Sequence, residues 1–344
     1  MCKWFWPLGS NQLFIIMPMA IEEIYPVKKR ILIVEDEAVI AKEMKASLEG
    51  LGYEVPLYVQ SGEEAIEEAE NRIFDLVLMD IVIKGDIDGI KTAKVIRDRF
   101  GIPVVYTTAN ANEATIRRAK VTGPYGYLVK PFSKNELHSI VEVALYKHGS
   151  DERHLKAMES MIDALTMTIE GRIPHITGHH SRVARLATAI SEEMGLPQND
   201  TKGIRLAAKV HDIGKIKIPS KVLEKTEALT QAELKLIKNH PGAGYEMLKE
   251  IDTPWPIAEM VLHHHERLDG SGYPLGLTEN DIRPGAKIIA VADVVEAMTS
   301  SQQYRPAIDI KSIFGGILEN RDILYDGRVV DACVKLFMNK GFRW

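Results

Sequence analysis

Residues 30–36 read RILIVED and residues 75–80 read DLVLMD, two short apolar runs that each end in acid. Runs of this length, with little polar alternation, are expected of strands buried on both faces of a parallel sheet. Working outward, further strands are expected at Glu54–Tyr58, Ile102–Thr107 and Tyr125–Val129, alongside Arg30–Val34 and Asp75–Met79. Amphipathic helical stretches lie between them. Capping boxes open three helices, pairing Ser61 with Glu64, Ser133 with Glu136 and Thr230 with Glu233. Strand–helix alternation from Lys28 to about Lys147 predicts a doubly wound α/β domain with a five-stranded parallel sheet.

Working groups of such sheets sit beyond the carboxyl ends of the strands. Glu35 and Asp36 follow the first strand, Asp80 the third, Thr108 the fourth and Lys130 the fifth. Carboxylates that converge repel one another unless a hard cation joins them, and Mg²⁺ suits an all-oxygen site. An Asp beside Mg²⁺ and a lysine can accept a phosphoryl group, because both cations neutralise the developing charge. With VEDE, LMDI, TTA and GYLVKPF at these positions, the segment resembles a response-regulator receiver domain. The resemblance implies a Mg²⁺ site at Glu35, Asp36 and Asp80, phosphorylation of Asp80 by a partner histidine kinase, and a switch formed by Thr108, Tyr127 and Lys130. The loop IKGDIDGI after Asp80 lacks the proline often found there.

At 344 residues the chain has room for two domains, and 45% hydrophobic with 26% charged residues is an ordinary globular profile. A net charge of −5 and no basic recognition helix argue against DNA as a partner. Cys2 and Cys333 stand at opposite ends, which excludes a disulfide framework and fits a reducing, cytoplasmic setting. Residues 1–27 are expected to be a disordered tail or an over-long translated start, with Met17 or Met19 as the true beginning. The apolar run Leu13–Met17 is far shorter than the ~20 residues a membrane span needs, so no insertion is expected.

The receiver-like domain is expected over 28–148, a helical linker over 149–170 and a second domain over 171–344, with the junction at Gly149–Ser150. In the linker, Leu155, Met158, Ile162, Leu165 and Ile169 recur at heptad spacing. Two readings stand: a helix packed on its own domain, or a dimer helix that carries a signal between domains.

Eight of the eleven histidines fall between His175 and His265, in a half dominated by helical patterns. An all-α domain is expected, with helices such as His179–Met194, Thr201–Val210 and Gln231–Asn239. The informative clusters are His175-x₃-His179, HDIGK at His211–Lys215, His240, HHHE at His263–Glu266, and Asp293 within an apolar run. Imidazole with carboxylate suits Fe, Mn, Zn, Co or Ni. The adjacent pair lets His211 bind one ion while Asp212 bridges two, and two ions about 4 Å apart can activate water and clamp a phosphodiester. Lys215 faces the same side, placed to neutralise phosphate or protonate a leaving oxygen. An unpaired Asp293 inside an apolar helix is costly, and a metal removes that cost. His180 and His263 flank stronger candidates and are expected to pack or support rather than bind.

The motifs GHHSRVARLA, HDIGKI, NHPGAGYEML, HHHERLDGSGYPLGL and KIIAVADVVEAMTS resemble the HD-GYP branch of the HD phosphohydrolases. The resemblance implies hydrolysis of cyclic di-GMP to the linear dinucleotide pGpG or to GMP, at two or three iron or manganese ions. It implies the ligands His179, His211, Asp212, His240, His264, His265 and Asp293, with Asp212 and Lys215 in the catalytic machinery. Lys215 and Tyr273 are then expected near substrate, a homodimer as the assembly, and a diguanylate cyclase as a partner at the GYP loop. Two positions depart from the family pattern. His175 stands where three-metal members carry a glutamate, making it an additional candidate ligand. Gln302 stands where an arginine contacts substrate phosphate, leaving Arg305 to compensate. Loss of one charge-assisted contact costs about 1.5–3 kcal/mol. The leading expectation is therefore a phosphorylation-controlled cyclic dinucleotide phosphodiesterase. The alternatives are a metal-containing sensor or adaptor with little activity, an enzyme preferring a mixed cyclic dinucleotide, and an HD phosphohydrolase of another nucleotide.

Overall fold

The computed structural model describes residues 28–109, 113–172, 177–300 and 310–344; the expected tail at 1–27, His175, Gln302 and Arg305 lie outside them. In the N-terminal half, strands β1 (Ile31–Val34), β2 (Tyr58–Val59), β3 (Leu76–Asp80), β4 (Val104–Thr108) and β5 (Gly126–Val129) form a parallel sheet in the order β2-β1-β3-β4-β5. Every residue of β1, β3 and β4 is buried, as their unbroken apolar runs require. β2 is shorter than expected and begins at Tyr58. Glu54 bridges Arg30, but Pro56 has no N–H to give the ladder, so regular pairing resumes only beyond it.

Helices α1 (Ala38–Glu49) and α5 (Lys134–Glu170) cover one sheet face. The other carries α2 (Gly62–Asn71), α3 (Gly89–Phe100) and α4 (Glu113–Lys120). The boxes at Ser133–Glu136 and Thr230–Glu233 close in both directions. That at Ser61 closes in one only: Ser61 accepts from the Glu64 N–H, while the Glu64 carboxylate takes the N–H of Gln60 instead.

α5 runs unbroken for 37 residues, through Gly149, from the sheet domain into the C-terminal half. Its seam residues Leu155, Met158, Ile162 and Ile169 join the core of that half, while Leu165 stays 41% exposed. Helix α6 (His179–Glu193) and α7 (Gln198–Val210) follow, then a 3-10 turn (Ile213–Lys217). The chain continues through α8 (Ser220–Leu223), α9 (Gln231–Lys238), α10 (His240–Leu248), α11 (Ile257–His263), α12 (Pro284–Ser300), α13 (Ile310–Glu319) and α14 (Gly327–Asn339). α7 is tied to α5 by Glu152–Lys202, Glu159–Arg205 and Asp163–Lys209 ion pairs. No helix among the described residues is long and apolar enough to cross a membrane.

Candidate phosphoacceptor site and candidate metal centre

β1 and β3 are neighbours in register, with Val34 opposite Met79. The acids that follow therefore meet: Glu35, Asp36 and Asp80 each offer an oxygen within 4.8 Å of the others. Lys130 Nζ reaches in from the end of β5, 2.6 Å from Glu35 Oε2 and 2.5 Å from Asp80 Oδ2. Burial pushes the Glu35 pKa up, and the nearby Asp80 adds to it. Burial alone would lower the Lys130 pKa, but its bonds to Asp80 and Glu35 outweigh that and hold it above the ordinary lysine value. The ammonium is thus a fixed charge at this rim. Thr108 ends β4, buried, and its carbonyl accepts the Lys130 N–H at 2.8 Å. The Tyr127 ring lies 5.7 Å from that of Tyr106, and its hydroxyl is buried without a hydrogen-bond partner among the described residues.

In the C-terminal half the expected ligands converge from three helices, α6, α10 and α12, and from the turns that follow α7 and α11. His179, His211 and Asp293 form one cluster, and Asp212, His240, His264 and His265 another, each with ligand atoms within 4.8 Å. Asp212 joins the two: His211 Nε2 lies 3.4 Å from its Oδ2, and His240 Nε2 3.1 Å from its Oδ1. The hydrogen bonds fix the tautomers. His211, His240 and His264 donate Nδ1–H to the carbonyls of Ala208, Ile237 and Val261, at 2.8, 2.7 and 2.6 Å. Their Nε2 atoms then carry lone pairs turned inward. His240 and His264 Nε2 face each other at 3.3 Å, and His211 Nε2 and Asp212 Oδ1 are buried with no hydrogen-bond partner among the described residues. Lone pairs gathered in a dry site are unfavourable until a cation sits among them. The donor set therefore fits a pair of divalent transition ions.

Charge around the clusters is set by the same contacts. Burial would raise the carboxyl pKa values, yet Lys215 beside Asp212, and His179 beside Asp293, hold both well below the ordinary range. Lys215 Nζ is 2.6 Å from Asp212 Oδ2. Burial opposes the charge on His179, but Asp293 and Glu296 raise its pKa to about 10. Burial lowers His265 to about 3. The Tyr273 ring lies 4.7 Å from that of His265, tilted by 32°.

A family model of the response regulator receiver domain matches residues 31–142, and one of the HD domain matches residues 163–329. A protein of Thermotoga maritima named cyclic di-GMP phosphodiesterase is 31% identical, over 89% of this chain and 90% of its own length. The cyclic di-GMP phosphodiesterase response regulator RpfG of Xanthomonas campestris is 30% identical, over 89% of this chain and 87% of its own. The chain belongs to the receiver–HD domain response regulators. A shorter match, 30% identical over 52% of this chain and 39% of the relative, is to the 3'3'-cGAMP-specific phosphodiesterase 3 of Vibrio cholerae.

The structure of this response regulator also brings in side chains that sequence reading left without a role. Glu296 accepts from His179 Nδ1 at 2.5 Å and from Arg182 Nε at 2.6 Å, so it fixes the His179 ring. Its position three residues after Asp293, on the same face of α12, was the available signal. Glu266, the acid of HHHE, takes no place in either cluster. Its carboxylate accepts the N–H groups of Leu275 and Leu277 at 2.7 and 2.9 Å and so braces the loop that carries Tyr273.

Proposed function

We propose that this response regulator is an HD-GYP-type phosphodiesterase whose HD domain hydrolyses cyclic di-GMP, to pGpG or on to GMP, under the control of Asp80 phosphorylation. The observation that carries this is Asp212, whose two oxygens are divided between two histidine-rich clusters. His179, His211 and Asp293 would hold one ion and His240, His264 and His265 the other, with Asp212 between them; iron or manganese suits the donors. Paired cations supply Lewis acidity and a water of lowered pKa. Lys215 holds a positive charge beside Asp212, where it can meet a phosphate oxygen or pass a proton to the departing hydroxyl. Tyr273 offers an aromatic face next to the centre for a guanine ring. At the receiver site, Glu35, Asp36 and Asp80 would hold Mg²⁺ while a cognate histidine kinase phosphorylates Asp80. Thr108, Tyr127 and Lys130 then respond to the new charge. A cytoplasmic homodimer, with a diguanylate cyclase docked at the GYP loop, completes the reading.

A second reading, preference for a mixed cyclic dinucleotide, is favoured by the kinship with a cGAMP-specific relative. One experiment tests both. Manganese- or iron-loaded protein is assayed on cyclic di-GMP and 3'3'-cGAMP side by side, with Asp212→Ala as control. Turnover of cyclic di-GMP that vanishes in the control is expected. Faster turnover of the mixed dinucleotide would favour the second reading, and equal rates in protein and control would remove both.

A further inference from the structure

Among the described residues, His180 is the one histidine turned toward the paired-ion centre that the roles above leave unused. Its ring is fully buried. His179 and His180 are the first two residues of α6, and neighbouring positions on a helix point about 100° apart. Both rings nevertheless turn to one oxygen: His179 Nε2 lies 3.9 Å and His180 Nε2 3.8 Å from Asp212 Oδ2.

The tautomer of His180 is set from the other side. Glu170, the last residue of α5, places Oε1 3.0 Å from His180 Nδ1, and its Oε2 accepts the Gly178 N–H at 2.8 Å. A carboxylate has no proton to offer, so the imidazole hydrogen is on Nδ1 and Nε2 carries the lone pair. That Nε2 is buried and has no hydrogen-bond partner among the described residues. His211, His240 and His264 show the same lock, with backbone carbonyls in place of the carboxylate. His263 shows the opposite one. Its Nδ1 accepts the Arg283 N–H at 3.3 Å, which puts the ring hydrogen on Nε2. The lock therefore sorts His180 with the ligands and His263 away from them. A carboxylate holding the far nitrogen of an imidazole is the usual support of a metal-bound histidine.

We infer that His180 is a further metal ligand, presenting Nε2 to a divalent transition ion beside Asp212 Oδ2, with Glu170 as its positioning residue. The inference rests on the paired-metal reading above and adds a nitrogen donor to it. It also makes the last residue of the long α5 helix part of the support of the centre.

The test is titration of metal-free, full-length protein with Co²⁺, followed by calorimetry and by the visible absorption of the bound ion. His180→Ala is expected to weaken one Co²⁺ by tenfold or more and to change the absorption band. Glu170→Gln, which keeps one oxygen for two donors, is expected to weaken the same ion by about 10- to 100-fold while the metal-free protein stays folded. His263→Ala should titrate as wild type. Wild-type affinity, stoichiometry and spectrum in His180→Ala would overturn the assignment, as would equal losses in His263→Ala. If His180→Ala fails to fold, Glu170→Gln decides alone, and an unchanged titration overturns the assignment. Asp212→Ala separates the two levels: wild-type Co²⁺ binding in that variant removes the paired-metal reading itself.

Discussion

Gly214→Ala tests whether the two clusters depend on close contact between the turn after Asp212 and α10. A Cβ at Gly214 would stand 1.9 Å from the His240 carbonyl oxygen and 2.6 Å from the Gly244 nitrogen, both backbone atoms of α10. Side-chain Cβ atoms essentially never come within 3.0 Å of a neighbour, so the turn and α10 must part by more than 1 Å. Metal–ligand distances tolerate only about ±0.2 Å. His240 is the first residue of α10 and moves with it, while Asp212 stays with the turn. Overpacking of this kind costs about 1–3 kcal/mol. For a domain of this size that lowers the melting temperature by about 2–12 °C. The assay is scanning calorimetry of metal-free protein, with metal content measured after dialysis. A lower transition for the HD domain is expected, together with loss of the ion held by His240. Gly315→Ala is the control of opposite sign. A Cβ there meets nothing within 4 Å, and a helical Gly→Ala change stabilises by about 0.5–1 kcal/mol. A Gly214→Ala protein that keeps both ions and the wild-type melting temperature would refute the reasoning.

Glu266→Ala leaves the N–H groups of Leu275 and Leu277 without their acceptor, at about 1–3 kcal/mol. Melting temperature should fall and KM should rise with metal content unchanged; a variant that loses metal instead would show Glu266 to be a ligand. Lys130→Ala leaves Glu35 and Asp80 facing each other without the ammonium, an imbalance worth about 3–5 kcal/mol. The receiver transition should drop steeply in EDTA and recover in part with Mg²⁺; no recovery would count against a Mg²⁺ site. Burial depresses the His148 pKa below its ordinary 6.5, so the folded protein binds fewer protons there than the unfolded chain. That stability is complete above pH 6.5 and is lost as pH falls below it. His148→Gln should therefore flatten the fall in melting temperature between pH 7 and pH 5, and an unchanged slope would refute the assignment.

The sheet was legible because parallel strands buried on both faces must be apolar throughout, a property of the residues themselves. For the same reason the acids after those strands stand out in the sequence itself. The members of the two candidate clusters were legible by residue type and spacing, since HDIGK, HHHE and a lone aspartate in an apolar helix have few other uses. What the chain could not disclose is how segments far apart in sequence divide the work. Only the tertiary structure separates the two clusters, divides Asp212 between them, and turns Glu296 onto His179 and Glu170 onto His180. It also decides that the acid of HHHE braces a loop, and that most of the heptad seam is spent inside one domain. The physical reason is common to these cases. Burial preference and helix periodicity act within a few residues, whereas a tautomer, a lone pair or a bridging oxygen is fixed by whichever group arrives opposite it from elsewhere in the fold.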